Sequence, residues 1–242
     1  MSEVHRHYET LLAPHYSWSY GGHDAKVREN REFFKTNSIA PLDTKIALDL
    51  GAGSGFQTIP LLELGFHVLA VDFSGTLLAE LKANCASREL ETLEADILDF
   101  SKYSGKNPEL IICMGDTIAH LPEEKSVEEL IANAFSQLRK NGKIILSFRD
   151  LKRELKDAER FIPVRSEEDR IFTCFLDYRK DRVFVHDIVH RRGPDGWKQE
   201  ISVYRKLRLD EATVRSLLEK AGFSIESSSV KHGMISMIGR KS

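Results

Sequence analysis

The sequence predicts an α/β fold in which a mostly parallel seven-stranded sheet has helices on both faces and an antiparallel β insertion after the fifth strand. Three observations predict it. From residue 46 to about residue 153, short apolar runs alternate with amphipathic stretches, as in parallel strands covered on both faces. The loop at residues 51–55, after the first apolar run, reads GAGSG. After residue 153 the segments partly alternate and are rich in Val, Ile, Phe and Tyr, which favours antiparallel strands.

The first element is an N-terminal helical segment over residues 1–45, which we expect to act as a lid. Asp24 is expected to cap the long helix of this segment. The segment also carries three closely spaced aromatic residues, Tyr16, Trp18 and Tyr20, which indicate either core packing or a cover over a ligand.

The parallel strands and their helices follow in alternation. Strands are predicted at residues 46–50, 67–71, 91–94, 110–114 and 143–148. Helices are predicted at residues 56–64, at 75–85 after a capping Ser74, and at 127–138.

The antiparallel insertion is predicted at residues 153–206. Since it follows the fifth strand, it should lie at the carboxyl edge of the sheet, where open α/β sheets bind ligands. We expect it to close the pocket or to pair two subunits as a homodimer. A last helix from Asp210 to Gly222 and two strands then complete a single domain over residues 1–242.

The composition excludes several classes of protein. Lys and Arg number 35 and Asp and Glu 37, so the net charge of −2 argues against a nucleic-acid partner. Apolar runs are far shorter than the roughly 20 residues that span a bilayer, so no membrane association is expected. Three widely spaced cysteines predict neither a disulfide framework nor a metal site, and His186 and His190 lack a third ligand. A cytoplasmic location is the simplest interpretation.

The glycine loop indicates a ligand because glycine allows a sharp turn and close approach of the backbone. A dinucleotide-binding fingerprint would need its third glycine at position 56, which is Phe56, and this weakens a nicotinamide-dependent oxidoreductase. Asp72 ends the second strand about 20 residues after the loop, the spacing of a carboxylate that binds ribose hydroxyls. A capping role for Asp72 is the alternative, but Ser74 competes for it.

Residues 47–55 (ALDLGAGSG) resemble the first motif of the class I S-adenosylmethionine-dependent methyltransferases. Further segments resemble later motifs of that family in the same order: 71–74 (VDFS), 94–97 (EADI), 138–144 (LRKNGKI) and 218–223 (LEKAGF). The resemblance covers about residues 46–239. It implies a Rossmann-like domain with S-adenosyl-L-methionine as cofactor and no metal.

A narrower resemblance concerns glycine and sarcosine N-methyltransferases. Residues 114–122 (MGDTIAHLP), 147–150 (SFRD) and 20–22 (YGG) are similar to short segments of these enzymes, although Asp116 stands where they have Asn. Together the two resemblances imply the following cofactor-binding residues: Arg28, Asp49, Gly51, Ala52, Gly53, Asp72, Phe73, Asp96, Ile97, Met114 and His120. Among these, Arg28 is implied to meet the carboxylate of the cofactor, and Asp96 and Ile97 its adenine.

The candidate catalytic residues are Asp116, Arg149 and Tyr20. Asp116 follows the fourth strand and Arg149 the fifth, so both side chains can face one cleft. The Arg149 guanidinium suits a carboxylate, and Asp116 could hold an ammonium or accept its proton. These roles predict N-methylation of a small amine or amino-acid-like molecule. The alternatives are an ion pair between Asp116 and Arg149, a more cationic acceptor, O-methylation of a small metabolite, and a binding module without activity.

Overall fold

The computed structural model describes residues 3–85 and 87–242 and contains two sheets. The first has seven strands in the order β10-β11-β5-β4-β1-β2-β3. Strands β1 to β5 run parallel, and β11 pairs antiparallel with both β5 and β10. The strands are β1 (Ile46–Leu50), β2 (His67–Asp72), β3 (Leu90–Glu94), β4 (Leu110–Cys113), β5 (Lys143–Arg149), β10 (Phe223–Lys231) and β11 (Met234–Lys241). The predicted fold class is therefore confirmed.

Helices cover both faces of this sheet. The N-terminal segment contains α1 (Glu3–His7), α2 (Tyr16–Ser19) and α3 (His23–Thr36), and the later helices are α4 (Thr58–Glu63), α5 (Gly75–Asn84), α6 (Glu124–Gln137) and α7 (Glu211–Ala221). Alternate residues of each central strand enter opposite cores: Leu48 and Ile111 lie in one apolar cluster, Ala47 and Ile112 in the other. Because both faces are buried, the strands read as continuous apolar runs. No helix in the described ranges is long and apolar enough to cross a membrane.

The predicted helix caps have different outcomes. The Ser74 hydroxyl accepts from the Leu77 N–H at 3.2 Å, and the Asp210 carboxylate accepts from the Thr213 N–H at 2.8 Å, so both caps are confirmed. The Asp24 cap is wrong. Helix α3 begins two residues earlier than this cap requires, with Gly22 in the capping position at φ 100°, and Asp24 lies in its exposed first turn.

The second sheet is antiparallel, with four strands in chain order: β6 (Phe161–Ser166), β7 (Arg170–Tyr178), β8 (Arg182–Gly193) and β9 (Gly196–Leu207). Its inner face, which includes Val183 and Val185, packs against Leu151 after β5. The same face meets Leu11 and Leu12 of the N-terminal segment. The insertion therefore reaches the carboxyl ends of the parallel strands.

The start of the N-terminal segment lies between the two sheets, since Tyr8 contacts Phe73 after β2 and His7 stacks on Tyr204 of β9. A π-helical turn (Tyr8–Leu12) and a 3-10 turn (Ala13–His15) join α1 to α2. Met1 and Ser2 of the predicted segment lie outside the described residues. The assignment of one domain over residues 1–242, with residues 1–45 as a lid and 153–206 as an insertion, remains a prediction about how these parts act.

Candidate active site

A cavity of about 350 Å³ opens at the carboxyl ends of the parallel strands. This is within the size range of small-molecule sites. Its walls come from the N-terminal segment, the glycine loop, the ends of β2 and β3, the turn after β4 and the edge of the antiparallel sheet. The residues that line it are Glu3, Val4, Tyr8, Tyr16, Gly51, Gly53, Asp72, Phe73, Leu77, Asp96, Ile97, Thr117, His120, Leu121, Pro122, Arg182 and Arg205.

The glycine loop needs its glycines for both conformation and space. Gly51 and Gly53 have φ values of 80° and 54°, in the left-handed region that glycine favours. A Cβ on Gly51 would lie 2.4 Å from Thr117 Cγ2, and a Cβ on Gly55 would lie 2.3 Å from Leu81 Cδ1. The first two glycines therefore leave the loop backbone open at the cavity, and the third lets the loop pack on α5.

The Asp72 carboxylate is bonded to the glycine loop and to the turn before α5, whose N-cap is Ser74 rather than Asp72. One carboxylate oxygen accepts from the Gly53 N–H and the other from the Ser74 N–H, each at 2.8 Å. The residue is only 7% exposed, and burial raises the pKa of its carboxyl while these hydrogen bonds lower it. Asp72 also lines the cavity. Because each carboxylate oxygen has two lone pairs, both can still accept from a ligand hydroxyl.

Three more predicted cofactor residues line the cavity beside Asp72. Phe73 follows it directly, and Asp96 and Ile97 lie where the chain leaves β3. The Asp96 carboxylate accepts from the Leu98 N–H at 2.9 Å, which fixes the turn. We refer to Gly51, Gly53, Asp72, Phe73, Asp96 and Ile97 as the glycine-loop wall.

His120 lines the same cavity from the turn after β4. Its Nδ1 atom is buried and makes no hydrogen bond to the described residues. Burial, with the charges of Lys206 and His7, holds the pKa of His120 well below its usual value. The imidazole is therefore neutral at neutral pH and retains an unpaired polar atom that a polar ligand can meet.

Three predicted cofactor residues lie behind the wall rather than on it. Asp49 is 1% exposed and accepts from the Thr58 hydroxyl at 2.6 Å, and burial raises the pKa of its carboxyl to about 7. Ala52 is buried against α5, and Met114 is buried in the core on the α3 and α4 face. None of the three lines the cavity.

Arg28 is not brought to the cavity. It is exposed on α3, whose buried face carries Val27, Asn30 and Phe34 instead. Asn30 faces the glycine loop and donates to the Phe56 carbonyl at 3.1 Å. The orientation of α3 therefore directs the Arg28 side chain away from the position that the resemblance implied.

Asp116 and Arg149 are adjacent but do not form the ion pair that was the alternative to their catalytic roles. Asp116 Oδ1 accepts from the backbone N–H of Arg149 at 2.9 Å. The Arg149 guanidinium instead donates to the His232 carbonyl at 3.2 Å. The cation that pairs with Asp116 is Lys206 of β9, whose Nζ lies 2.6 Å from Oδ2. The ion-pair alternative was therefore wrong about the partner of Asp116.

Lys206 was not predicted from the sequence as a site residue. Its position on β9 could have indicated this role. Lys206 is two residues from buried Tyr204, so both side chains lie on the inner face of the antiparallel sheet. A lysine in an apolar face that is expected to cover the carboxyl edge of the sheet should have been taken as a site residue. Burial would lower the pKa of the Lys206 ammonium, but the Asp116 carboxylate holds it above its usual value.

Tyr20 completes this group from the N-terminal segment. Its ring packs against Phe56 and Tyr16, while 38% of the residue remains exposed. The charges of Lys206, Arg149 and Asp116 all act on its hydroxyl. We refer to Asp116, Arg149, Lys206 and Tyr20 as the Asp116 cluster. It does not line the cavity itself but adjoins it, because Thr117 and Tyr16 belong to the lining.

The N-terminal segment also brings to the cavity Tyr8, which the sequence did not single out, and Tyr16, one of the three aromatic residues that it did. Tyr8 lines the cavity, and Tyr16 stacks on Phe56 with ring centroids 5.2 Å apart. The Glu9 carboxylate accepts from the hydroxyls of Ser74 and Thr76 at the start of α5. The aromatic residues of this segment were interpreted as core packing or as a cover over a ligand. The position of Tyr16 is compatible with both, since it packs on the loop and lines the cavity.

Comparisons with known proteins agree with this architecture. The methyltransferase domain family matches residues 47–142. Glycine/sarcosine N-methyltransferase of Aphanothece halophytica is 25% identical over 203 residues, which cover 83% of this chain and 74% of the relative. The enzyme of the same name from Parasynechococcus marenigrum is 33% identical over 135 residues, 55% of this chain and 48% of the relative.

A solved structure shares the fold over nearly the whole chain. The S-adenosylmethionine-bound amino pentose methyltransferase of Micromonospora echinaspora has a TM-score of 0.72 at 13% identity, over 91% of each chain. The sheet order, the glycine loop and these matches support a class I S-adenosylmethionine-dependent methyltransferase. The methyltransferase domain and the named relatives indicate an enzyme, and S-adenosylmethionine is the cofactor bound in the amino pentose methyltransferase.

Proposed function

We propose that the enzyme methylates the amine nitrogen of a small molecule that also carries an acidic group. The observation that carries this proposal is the Asp116 cluster, which places two cations and one anion beside the cofactor cavity. The glycine/sarcosine N-methyltransferases among its relatives support an amino-acid-like acceptor. The same relatives are named N-methyltransferases, which supports nitrogen as the atom that receives the methyl group.

The residues present fit the cofactor. The Asp72 carboxylate has lone pairs left for the two ribose hydroxyls, and the open backbone of Gly51 and Gly53 suits the methionyl part. Asp96 and Ile97 would flank the adenine, which their position in the cavity wall beside Phe73 supports. His120 offers a buried unpaired nitrogen to a polar group. Asp49, Ala52 and Met114 act indirectly, by holding the loop and the sheet beneath it.

The chemistry needs orientation more than an acid or a base. S-adenosylmethionine, when bound, supplies an electrophilic methyl group on a sulfonium. Fixing the acceptor amine in line with that group can supply ~7–11 kcal/mol of the barrier. Arg149 would hold the acid of the acceptor through its planar fork. Tyr8 and Tyr16 would exclude water from the cavity that they border.

The structure changes the role expected for Asp116. Its negative charge is already offset by the ammonium of Lys206, and the residue is only 3% exposed, so we do not expect it to hold the ammonium of an acceptor. We therefore expect the acceptor amine to lose its proton to solvent before transfer, and the rate should rise with pH as the amine of each acceptor titrates.

The direct test is transfer from labelled cofactor to a panel of amino acids, amines and phenols. We expect transfer to amines that carry an acid, with Arg149→Ala raising their KM. Activity confined to uncharged phenols, and unaffected by Arg149→Ala, would contradict the proposal and leave the methyltransferase class intact. A thermal-shift measurement distinguishes a methyltransferase from a nicotinamide-dependent oxidoreductase. S-adenosylhomocysteine should raise the melting temperature of the protein, whereas NAD should not.

We also propose a cytoplasmic location and no nucleic-acid partner. The free thiols of Cys85, Cys113 and Cys174 favour a reducing compartment, and the net charge of −2 offers no basic surface overall. A homodimer through the antiparallel sheet is supported by apolar side chains exposed on it, among them Phe161 and Ile201. Light scattering after size exclusion would measure its mass.

A further inference from the structure

Lys206 is a buried cation with spare hydrogen-bond donors. Its side chain is 14% exposed and reaches from β9 to the turn after β4, where Nζ lies 2.6 Å from Asp116 Oδ2. An ammonium has three donors, and in the described part of the chain only this one acceptor meets it. Tyr204 adds an aromatic ring 5.6 Å from Nζ, which is a weaker contact.

The charges around Lys206 do not cancel. Asp116 is one anion, whereas Lys206 and Arg149 are two cations that act on each other and on the Tyr20 hydroxyl. The side-chain partner of Arg149 is the neutral carbonyl of His232. The Asp116 cluster therefore carries one unbalanced positive charge beside the cofactor cavity, and an anionic group on a ligand would balance it.

We infer that Lys206 is a specificity-determining residue that donates directly to the carboxylate of the acceptor, alongside Arg149. This inference rests on the proposed function and goes further, because it restricts the acceptor to amines with an anionic group next to the nitrogen. Asp116 positions the Lys206 ammonium and offsets its charge, so that the cluster suits one carboxylate rather than two. The insertion thus contributes a contact that the parallel sheet does not contain.

The test compares binding of glycine and glycinamide to the full chain loaded with S-adenosylhomocysteine. The two probes differ only in the charge of one end, at about pH 6.5, where both amines carry a proton. We expect the wild-type protein to bind glycine at least tenfold more tightly. Lys206→Met should reduce this preference at least fivefold, whereas Lys206→Arg, which keeps the charge, should retain it within about threefold.

A double variant separates contact from charge. Lys206→Met combined with Asp116→Asn removes one cation and one anion, so the cluster keeps its net charge but loses the ammonium. The inference expects the glycine preference to stay reduced in this variant. Recovery of the wild-type preference would overturn the inference, since net charge alone would then explain it. Equal or undetectable binding of the two probes by the wild-type protein would overturn it as well.

Two readouts distinguish failure of the inference from failure of the proposed function. Affinity for S-adenosylhomocysteine, measured for every variant, reports whether the fold and the cofactor cavity are intact. Absence of methyl transfer to any amine of the panel contradicts the proposed function. An unchanged glycine preference in a folded Lys206→Met variant contradicts only the Lys206 contact.

Discussion

The glycine-loop wall lines the cavity and the Asp116 cluster adjoins it, and the two are built in different ways. The residues of the wall fall between Gly51 and Ile97, at the ends of three strands that lie side by side. The Asp116 cluster takes its residues from four segments between Tyr20 and Lys206, one of them in the separate antiparallel sheet. The wall is therefore a local product of strand–loop–helix units, whereas the cluster exists only when distant parts of the chain have packed.

The largest effect should come from Asp72→Ala, which tests the local wall. The variant removes a buried acceptor for two backbone N–H groups as well as the proposed ribose contact. A charge-assisted hydrogen bond contributes ~1.5–3 kcal/mol, so S-adenosylhomocysteine should bind more than tenfold more weakly by calorimetry. Asp72→Asn is the matched control and should lose less. Normal affinity in Asp72→Ala would remove Asp72 from the ribose site.

Arg149→Ala tests whether the Asp116 cluster serves the acceptor alone. We expect KM for an acidic amine to rise about tenfold, because the variant loses a bidentate contact of ~1.5–3 kcal/mol. Affinity for S-adenosylhomocysteine should stay within twofold. Arg149→Lys should give an intermediate KM, since it keeps the charge and loses the fork. An equal loss of cofactor affinity would show that the wall and the cluster are not separate.

Asp49→Asn tests the role of the buried Asp49 carboxyl beneath the glycine-loop wall. The measured quantity is the pH dependence of the free energy of unfolding. Burial raises the folded-state pKa of Asp49 to about 7, so the folded state holds its proton more tightly than the unfolded state. The stability that this provides is present below about pH 4 and is lost as the pH rises to about 7. Asn does not ionise, so the stability of Asp49→Asn relative to wild type should improve by more than ~1 kcal/mol between pH 5 and pH 8 in urea titrations. A difference independent of pH would contradict the raised pKa.

The smallest effect is expected for Arg28→Ala. This variant tests whether Arg28 contacts the cofactor, as the resemblance implied, or lies away from the cavity, as in the structure. Arg28 is exposed on α3 and away from the cavity, so affinity for S-adenosylhomocysteine should change less than twofold. A tenfold loss would support the cofactor contact that the resemblance implied. It would also show that α3 turns when the cofactor binds.

Local signals predicted most of the wall. Ser74 and Asp210 were recognised as caps because a cap depends on a few neighbouring residues, and the glycine loop because its backbone conformation excludes most side chains. The Asp24 cap failed because Gly22 could start the helix earlier. Strand β6 was not predicted, since Pro163 cannot donate to a neighbouring strand and a bulge follows it.

The Asp116 cluster was only half predictable. Asp116 and Arg149 could be placed because parallel strands end at one edge of the sheet. Their actual partners, Lys206 and the His232 carbonyl, depend on how an antiparallel sheet and a hairpin pack over that edge. The periodicity within one segment does not predict how distant segments pack. The inward position of Lys206 on β9 did indicate that this residue lies near the site.

The backbone at Asp116 bears on how substrate choice could change during evolution. Its φ of 75° lies in the left-handed region, which Asn and Asp tolerate better than most residues. An amide oxygen at this position could still accept from the Arg149 N–H. Asp and Asn codons differ by one nucleotide, so a single mutation could alter the charge offered to the acceptor while the turn keeps its shape.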